Sequence, residues 1–366
     1  MAKSFFIDGR EFSPQNPLVI AELGTAHAGD LGKAREMIAA AAESGADCIK
    51  FQWVFADEIL HKATGEVLLP GGKIPLYDRF KALEAPADFY QKLKENVEAA
   101  GLLFLCTPFG HKSARLLREL QPKAVKIASP ELNYTSLLQE ISRWELPVLL
   151  SAGVSRLADI EAALDILKPP LCLLHCVTAY PAPEADYNLR LLQSLSAVFG
   201  VPVGVSDHSL DPQLIPVLSV CAGAAVIEKH FCLSRSDDGL DDPIALPPKE
   251  FSQMTAAVRA AATGAEKTIE ALCEKHGGEF IEKILGDGVK TLAPSEKENY
   301  LRTNRSIHAL RDIEAGQVIQ KSDFAVYRTE KILRPGLAPS FEDLVAGKTA
   351  KQFIPSGEGI RFEDIC

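Results

Sequence analysis

Short apolar runs recur along the first three-quarters of the chain, each followed by polar residues and then an amphipathic segment. In order they are Leu18–Glu22, Asp47–Gln52, Leu102–Thr107, Ala124–Ala128, Pro147–Ser151, Leu171–Cys176, Val201–His208 and Ala224–His230. The runs are unbroken rather than alternating, as expected of parallel strands covered on both faces. Between them the periodicity predicts helices near 31–44, 86–100, 135–144, 157–167, 189–198 and 211–221, one ending near 120, and a last one over 249–271. Gly45 stands where a helix C-terminal cap is needed. Asp8–Gly9, between Phe5–Ile7 and Arg10–Phe12, is a hairpin signal. Eight strand–helix units within residues 1–272 predict an α/β fold of the closed (β/α)8 TIM-barrel type. An open doubly wound sheet is the alternative, but no Gly-x-Gly-x-x-Gly follows the first strand.

Two stretches break the rhythm. Trp53 to Ala85 reads as a long irregular insertion carrying Pro70–Gly71–Gly72, of a length that is usually functional or mobile. Residues 273–301 read as a linker rich in Lys, Glu and Gly. Residues 302–366 change character, with short strands and frequent turns, and predict a small β-rich domain that is marginal alone.

Composition narrows the class. A net charge of −10 and a pI near 5.4 argue against nucleic acid or an anionic membrane as general partner, while leaving room for a local anion pocket. Eight Cys with no Cys-x-x-Cys pair point to reduced thiols in a cytoplasmic protein. No apolar run is long enough to span a bilayer, and the first residues lack a signal-peptide core.

In a barrel, functional groups collect at the C-terminal strand ends. Those ends supply Glu22; Lys50 and Gln52; Thr107; Lys126, Ser129 and Glu131; Ser151; Thr178 and Tyr180; Ser206, Asp207 and His208; Glu228 and His230. His208 and His230 end neighbouring strands, close enough to share one metal ion and leave its other positions open. A polar surface role is the alternative for either alone. Asp207 and Glu228 are candidates for supporting those ligands. His27 and His175 are expected to be structural. Lys50 and Lys126 need anionic partners if buried. With Thr107, Ser129, Ser151 and Ser206 they suit a phosphate or phosphate-carboxylate guest. Buried ion pairs with Glu22, Glu131 or Glu228, or a Schiff-base lysine, are the alternatives. Glu22 and Glu131 are candidates for acid–base work or for binding sugar hydroxyls.

Several segments, taken in order, resemble the sialic acid synthase (N-acetylneuraminate synthase) family. They are Ala21–Gly24, Ile49–Gln52, Thr107–Phe109, Lys126–Glu131, Leu150–Gly153, His175–Pro181, Gly204–Ser209 and Glu228–Phe231. In the tail, Asn304–Ser306, Asp312–Gly316 and Arg334–Gly336 resemble that family's antifreeze-like SAF domain. The resemblance implies condensation of phosphoenolpyruvate with the open-chain aldehyde of an N-acylated amino sugar, N-acetylmannosamine or a relative, with release of phosphate. It implies a Mn2+ or Mg2+ ion on His208 and His230. It places phosphoenolpyruvate on Lys50, Thr107, Lys126, Ser129, Ser151, Thr178 and Ser206, with proton movement at Glu131. It gives the sugar to Glu22, Gln52, Tyr180, Asp241 and Arg305, the last from the partner of a domain-swapped homodimer. Thr178 stands where the family usually has Asn, and Ala26–His27–Ala28–Gly29 where it often has Asn-His-Asn-Gly; both differences bear on the sugar. Condensation of phosphoenolpyruvate with a phosphorylated aldose, as in octulosonate or heptulosonate synthases, and a catalytically silent sugar-binding homologue are the other readings.

Overall fold

The computed structural model describes residues 3–69, 72–168, 170–330 and 332–366. Pro70 and Gly71 of the expected turn lie outside them. Eight parallel strands form one sheet: β1 (Leu18–Gly24), β2 (Cys48–Trp53), β3 (Leu103–Pro108), β4 (Val125–Ile127), β5 (Val148–Ser151), β6 (Leu171–Cys176), β7 (Val203–Asp207) and β8 (Val226–His230). The hydrogen-bonded order is β3-β2-β1-β8-β7-β6-β5-β4. The first and last strands in sequence therefore pair, with Glu22 beside His230 in register. β3 and β4 lie in contact and close the barrel.

Helices α1 (Leu31–Glu43), α2 (Ala87–Ala99), α3 (His111–Glu119), α4 (Thr135–Ser142), α5 (Leu157–Ile166), α6 (Leu191–Phe199), α7 (Leu214–Cys221) and α8 (Pro248–Ala261) follow the strands. Each buries one apolar stripe against the outer face of the sheet; α1 uses Ala34, Met37, Ile38 and Ala41. Its start is fixed by Asp30, whose carboxylate accepts the Gly32 and Lys33 amides. Its end is fixed by Gly45 at φ +87°.

The barrel interior is layered by the two-residue period of its strands. Leu18, Ile20, Cys48, Leu103, Leu105, Ala124, Leu149, Cys172, Leu174 and Val226 fill the lower part. The N-terminal hairpin closes that end with Phe5, Ile7 and Phe12, which join the same cluster. Its turn residues Asp8 and Gly9 have φ of +49° and +76°, as a tight two-residue turn requires. Gly204 is a point of close approach: a Cβ there would lie 2.4 Å from the Val226 carbonyl. Two residues further along each strand the same inward face turns polar, giving Glu22, Lys50, Lys126, Ser151, Cys176, Ser206 and Glu228.

The expected linker is folded. The predicted single helix 249–271 breaks at Thr263–Gly264, and α9 (Ala265–His276) and α10 (Gly278–Leu285) follow. Ile281 and Ile284 of α10 are fully buried. From 286 to 304 the chain crosses the barrel mouth as a strap. The insertion after β2 is also ordered: it holds short helices Ala56–Ile59 and Leu76–Ala82 and pairs Glu66–Leu69 with Gly72–Pro75.

The C-terminal part pairs β9 (Arg305–Ala309) with β10 (Phe324–Arg328), placing Arg305 opposite Arg328. Single bridges such as Ile313 to Ile354 and Ala350 to Ile365 complete it. No helix among the described residues is long and apolar enough to cross a membrane.

Because α10 buries full isoleucines, Ile281→Ala should cost about 2–5 kcal/mol of unfolding free energy. Phe280→Ala on the exposed side of the same helix should cost less than about 1 kcal/mol. Denaturant titration of both variants checks this; equal small effects would return the segment to the status of a linker.

Candidate active site

The polar layer encloses a cavity of about 350 Å³ at the C-terminal end of the barrel. Its floor is a buried charge cluster. Lys50 Nζ lies 2.8 Å from Glu22 Oε2 and 3.7 Å from Glu228 Oε1. Burial opposes the charge on Lys50, but Glu22 and Glu228 outweigh it and hold the ammonium above its ordinary pKa. Lys126 is less well compensated. Its nearest carboxylate, Glu228, is 3.9 Å away and shared with Lys50. Lys126 Nζ donates to Ser151 Oγ (2.7 Å) and to the Ile127 carbonyl (3.1 Å). Burial lowers its pKa, Glu228 opposes this, and Lys50 adds to it. The ion-pair alternative is thus realised for Lys50 far more than for Lys126. Gln52 Nε2 donates to Glu22 Oε1 (2.7 Å), and Ser206 Oγ donates to Glu228 Oε1 (2.8 Å).

The two imidazoles stand beside this cluster with ring centres 5.5 Å apart. His208 Nδ1 meets the Val177 carbonyl at 2.9 Å, which leaves Nε2 toward the Tyr180 hydroxyl at 3.3 Å. Tyr180 stacks on the His208 ring at 4.3 Å. His230 Nδ1 lies 3.7 Å from Asp241 Oδ2. Burial lowers His230 to about 3, so it is neutral at pH 7 and has a lone pair to give. Burial also acts against a charged His208, but Cys176 and the Val177 carbonyl overcome it and raise that ring to about 9. A ligand role requires the Nε2 proton to leave. Among the described residues no three His, Cys, Asp or Glu side chains form a ready-made metal cage. The donor set of two imidazoles with one carboxylate nearby fits an ion that keeps most positions for water or substrate.

Asp207, expected near the metal ligands, points the other way, into the layer between sheet and helices. There it is paired with Lys229 Nζ at 2.5 Å, and it accepts the Tyr187 hydroxyl at 2.6 Å. The same hydroxyl accepts the His208 amide at 2.8 Å, so this pair braces the backbone at His208. His27 and His175 are structural, as expected; burial lowers them to about 4 and about 3.

Three expected site residues do not line the cavity. Thr107 stands beside Gln52 in register, with its hydroxyl accepting from Lys50 at 3.5 Å. Glu131, expected to move protons, sits in a short turn after β4 and faces the C-terminal domain. Its Oε1 accepts Arg305 Nε (3.1 Å) and Nη2 (2.9 Å), and Arg328 Nε (3.1 Å) and Nη2 (2.7 Å). Arg305, expected at the sugar, is 1% exposed. Its remaining donors go to the carbonyls of Glu58 (2.6 Å) and Phe109 (2.5 Å). Its neighbour in register, Arg328, is the arginine that reaches the cavity wall.

The strap supplies two wall residues, one expected in the linker 273–301 and one at the start of the C-terminal domain. Asn299 and Thr303 line the cavity with Ser129, Thr178 and Glu330. An apolar side is built by Val67, Leu76 and Phe80 of the insertion together with Leu240 and Ile244 of the loop after β8. The two segments are tied where Arg79 donates to the Asp238 carbonyl.

Removing Glu131 would leave two guanidinium groups facing each other, one of them fully buried. Glu131→Ala should therefore cost about 3–5 kcal/mol of stability. Thermal and denaturant unfolding of the variant check this; unchanged stability with lost turnover would restore Glu131 as a proton-transfer group.

Comparisons with known proteins identify the family. Residues 37–270 match the model of the NeuB family, and residues 304–365 match the SAF domain. The chain is 34% identical over 363 residues to the N,N'-diacetyllegionaminic acid synthase of Legionella pneumophila, covering 95% of this chain and 94% of that protein. Among solved structures, spore coat polysaccharide biosynthesis protein SpsE of Bacillus subtilis has a TM-score of 0.82 at 32% identity, covering 100% of this chain and 99% of that one. The N-acetylneuraminic acid (sialic acid) synthetase of Leptospira borgpetersenii, in complex with citrate, has a TM-score of 0.66 at 31% identity over 82% of this chain and 95% of that one. With one family model covering most of the barrel and a second the C-terminal domain, the chain belongs to the NeuB family.

Proposed function

We propose that this enzyme condenses phosphoenolpyruvate with the aldehyde form of an N-acylated amino sugar, giving a nonulosonic acid and inorganic phosphate. The observation that carries the reading is Lys126. It is a buried ammonium without a carboxylate of its own, bonded to Ser151 Oγ, in a cavity that Ser129 and Thr178 also line. Such a group takes an anion, and hydroxyls in the same cavity suit phosphate oxygens. Lys50, between Glu22 and Glu228, reaches the opposite end of a three-carbon substrate.

The chemistry follows from this placement. Carbon 3 of phosphoenolpyruvate adds to the aldehyde carbon, forming the new bond while the aldehyde oxygen gains a proton. Water adds to carbon 2, and phosphate departs with the carbon 2 oxygen. The proton that the water loses is the one that the new hydroxyl needs. Glu22, between Lys50 and His230 in register, would carry it. A divalent cation held by His208 and His230, with Asp241 beside them, would supply Lewis-acid polarisation of the aldehyde oxygen. Tyr180 and Asp241 line the sugar end, and Arg328 takes the place first expected for Arg305. The apolar wall of Val67, Leu76, Phe80, Leu240 and Ile244 suits acyl methyl groups and a methyl carbon in place of a hydroxymethyl. It favours a diacylated, deoxygenated hexose over N-acetylmannosamine. One wall arginine, already bound to Glu131, is a poor second phosphate site, which disfavours a phosphorylated aldose.

Phosphate release from phosphoenolpyruvate should be seen with a 2,4-diacetamido-trideoxyhexose, less with N-acetylmannosamine, and not with arabinose 5-phosphate. Release with arabinose 5-phosphate alone would overturn the reading. Lys126→Met should lower kcat/KM on the order of 100-fold. A bound anion favours charged Lys126, so affinity for phosphoenolpyruvate should weaken as pH rises through that residue's lowered pKa; constant affinity into the alkaline range would contradict the assignment. Arg328→Ala should raise the sugar KM about tenfold and leave that for phosphoenolpyruvate nearly unchanged.

A further inference from the structure

The strap between α10 and β9 does more than connect two domains. It holds the main chain of the loops after β5 and β6, next to Ser151 and Thr178 of the cavity wall. In the loop after β5, three successive main-chain groups are held by side chains. The Ala152 carbonyl accepts from Lys290 Nζ at 3.3 Å, the Gly153 amide donates to Ser129 Oγ at 2.9 Å, and the Val154 amide donates to Glu296 Oε1 at 2.8 Å. The same Glu296 oxygen accepts the Thr178 amide, from the loop after β6, at 2.7 Å. Asn304 and Asn299 extend the pattern, donating to the Val154 and Thr178 carbonyls at 3.1 Å each.

Two further observations bear on the geometry of both loops. Val154 has φ +42°, a left-handed conformation that a β-branched residue adopts only under constraint. Gly153 packs so closely on the next loop that a Cβ would lie 2.2 Å from Thr178 Oγ1. The spacing of Ser151, Ser129 and Thr178 therefore depends on a carboxylate that is itself 1% exposed. Lys290 is the cation facing it: burial lowers that lysine, and Glu296 is the first group to oppose the shift.

We propose that Glu296 and Lys290 are positioning residues for phosphoenolpyruvate, acting through the main chain of residues 152–154 and 178 without touching the substrate. This rests on the phosphoenolpyruvate reading above. Part of the affinity for the anion is then stored in the strap, outside the barrel strands.

The test is calorimetric binding of phosphoenolpyruvate to the full-length chain and to Glu296→Ala, Glu296→Gln and Lys290→Met, with thermal unfolding and the sugar KM measured alongside. Glu296→Ala should weaken phosphoenolpyruvate binding about tenfold and Lys290→Met about threefold or more. Glu296→Gln keeps an oxygen acceptor for both amides and should stay within about twofold of the parent. The sugar KM should stay within about twofold in all three, a split that simple loosening of the fold would not produce. Should Glu296→Ala fail to fold, Lys290→Met decides. Parental affinity in Lys290→Met overturns the proposal, as does equal loss for both substrates. A parent that does not bind phosphoenolpyruvate overturns the reaction itself, a result visible before any substitution is made.

Discussion

Two ammonium groups inside a barrel are the constraint on which the rest of this molecule depends. A buried cation must find an anion or lose its proton. The chain meets the demand unequally. Lys50 is held by Glu22 and Glu228, while Lys126 shares one of those carboxylates at longer range. The inequality separates a charge that is already compensated from one that is not. It also explains the layering of the interior, where apolar side chains and an N-terminal hairpin fill the lower part so that the charges lie only at the mouth.

The same economy governs the mouth's upper wall. Glu131 places one carboxylate oxygen against two guanidinium groups of the C-terminal domain. Arg305 is consumed by this contact and by main-chain carbonyls, and so acts as an anchor. Arg328, one strand across, remains at the cavity. The C-terminal domain buries apolar side chains such as Ile307, Ile313, Ile319, Ile354 and Ile360, and it is also held to the barrel by buried charge, a contact that positions a wall residue. The strap does the equivalent on the other side, through amides rather than charges alone.

Much of this was legible in the sequence, for a physical reason. Strands buried on both faces must be continuous apolar runs, so their polar ends stand out, and Glu22, Lys50, Lys126, Ser151, Ser206, His208 and His230 were found that way. The two-residue period adds direction: each lies an even number of positions from an interior residue such as Ile20 or Leu149. Asp207 and Lys229 have the opposite parity and pair behind the sheet. The period ends with the strand, and beyond it the reading is mixed: Ser129, Thr178, Tyr180 and Asp241 line the cavity, and Glu131 and Arg305 do not. Glu131 lies in a turn beyond β4, where parity says nothing of direction. Arg305 and Arg328 face each other across a hairpin whose placement depends on tertiary contacts. Residues 273–301 read as a linker because Lys, Glu and Gly dominate their start. Yet Phe280, Ile281, Ile284 and Leu285 carry a helical spacing that marked α10 in advance. Nothing local in the sequence announced that Glu296 would reach amides on two distant loops.

The measurement that bears most directly on the central claim is a crystal structure of the full-length chain soaked with phosphoenolpyruvate. The account predicts phosphate oxygens within hydrogen-bonding distance of Lys126 Nζ and Ser151 Oγ, with the carboxylate toward Lys50. Phosphoenolpyruvate bound outside the barrel mouth, or with its phosphate turned away from Lys126, would contradict it.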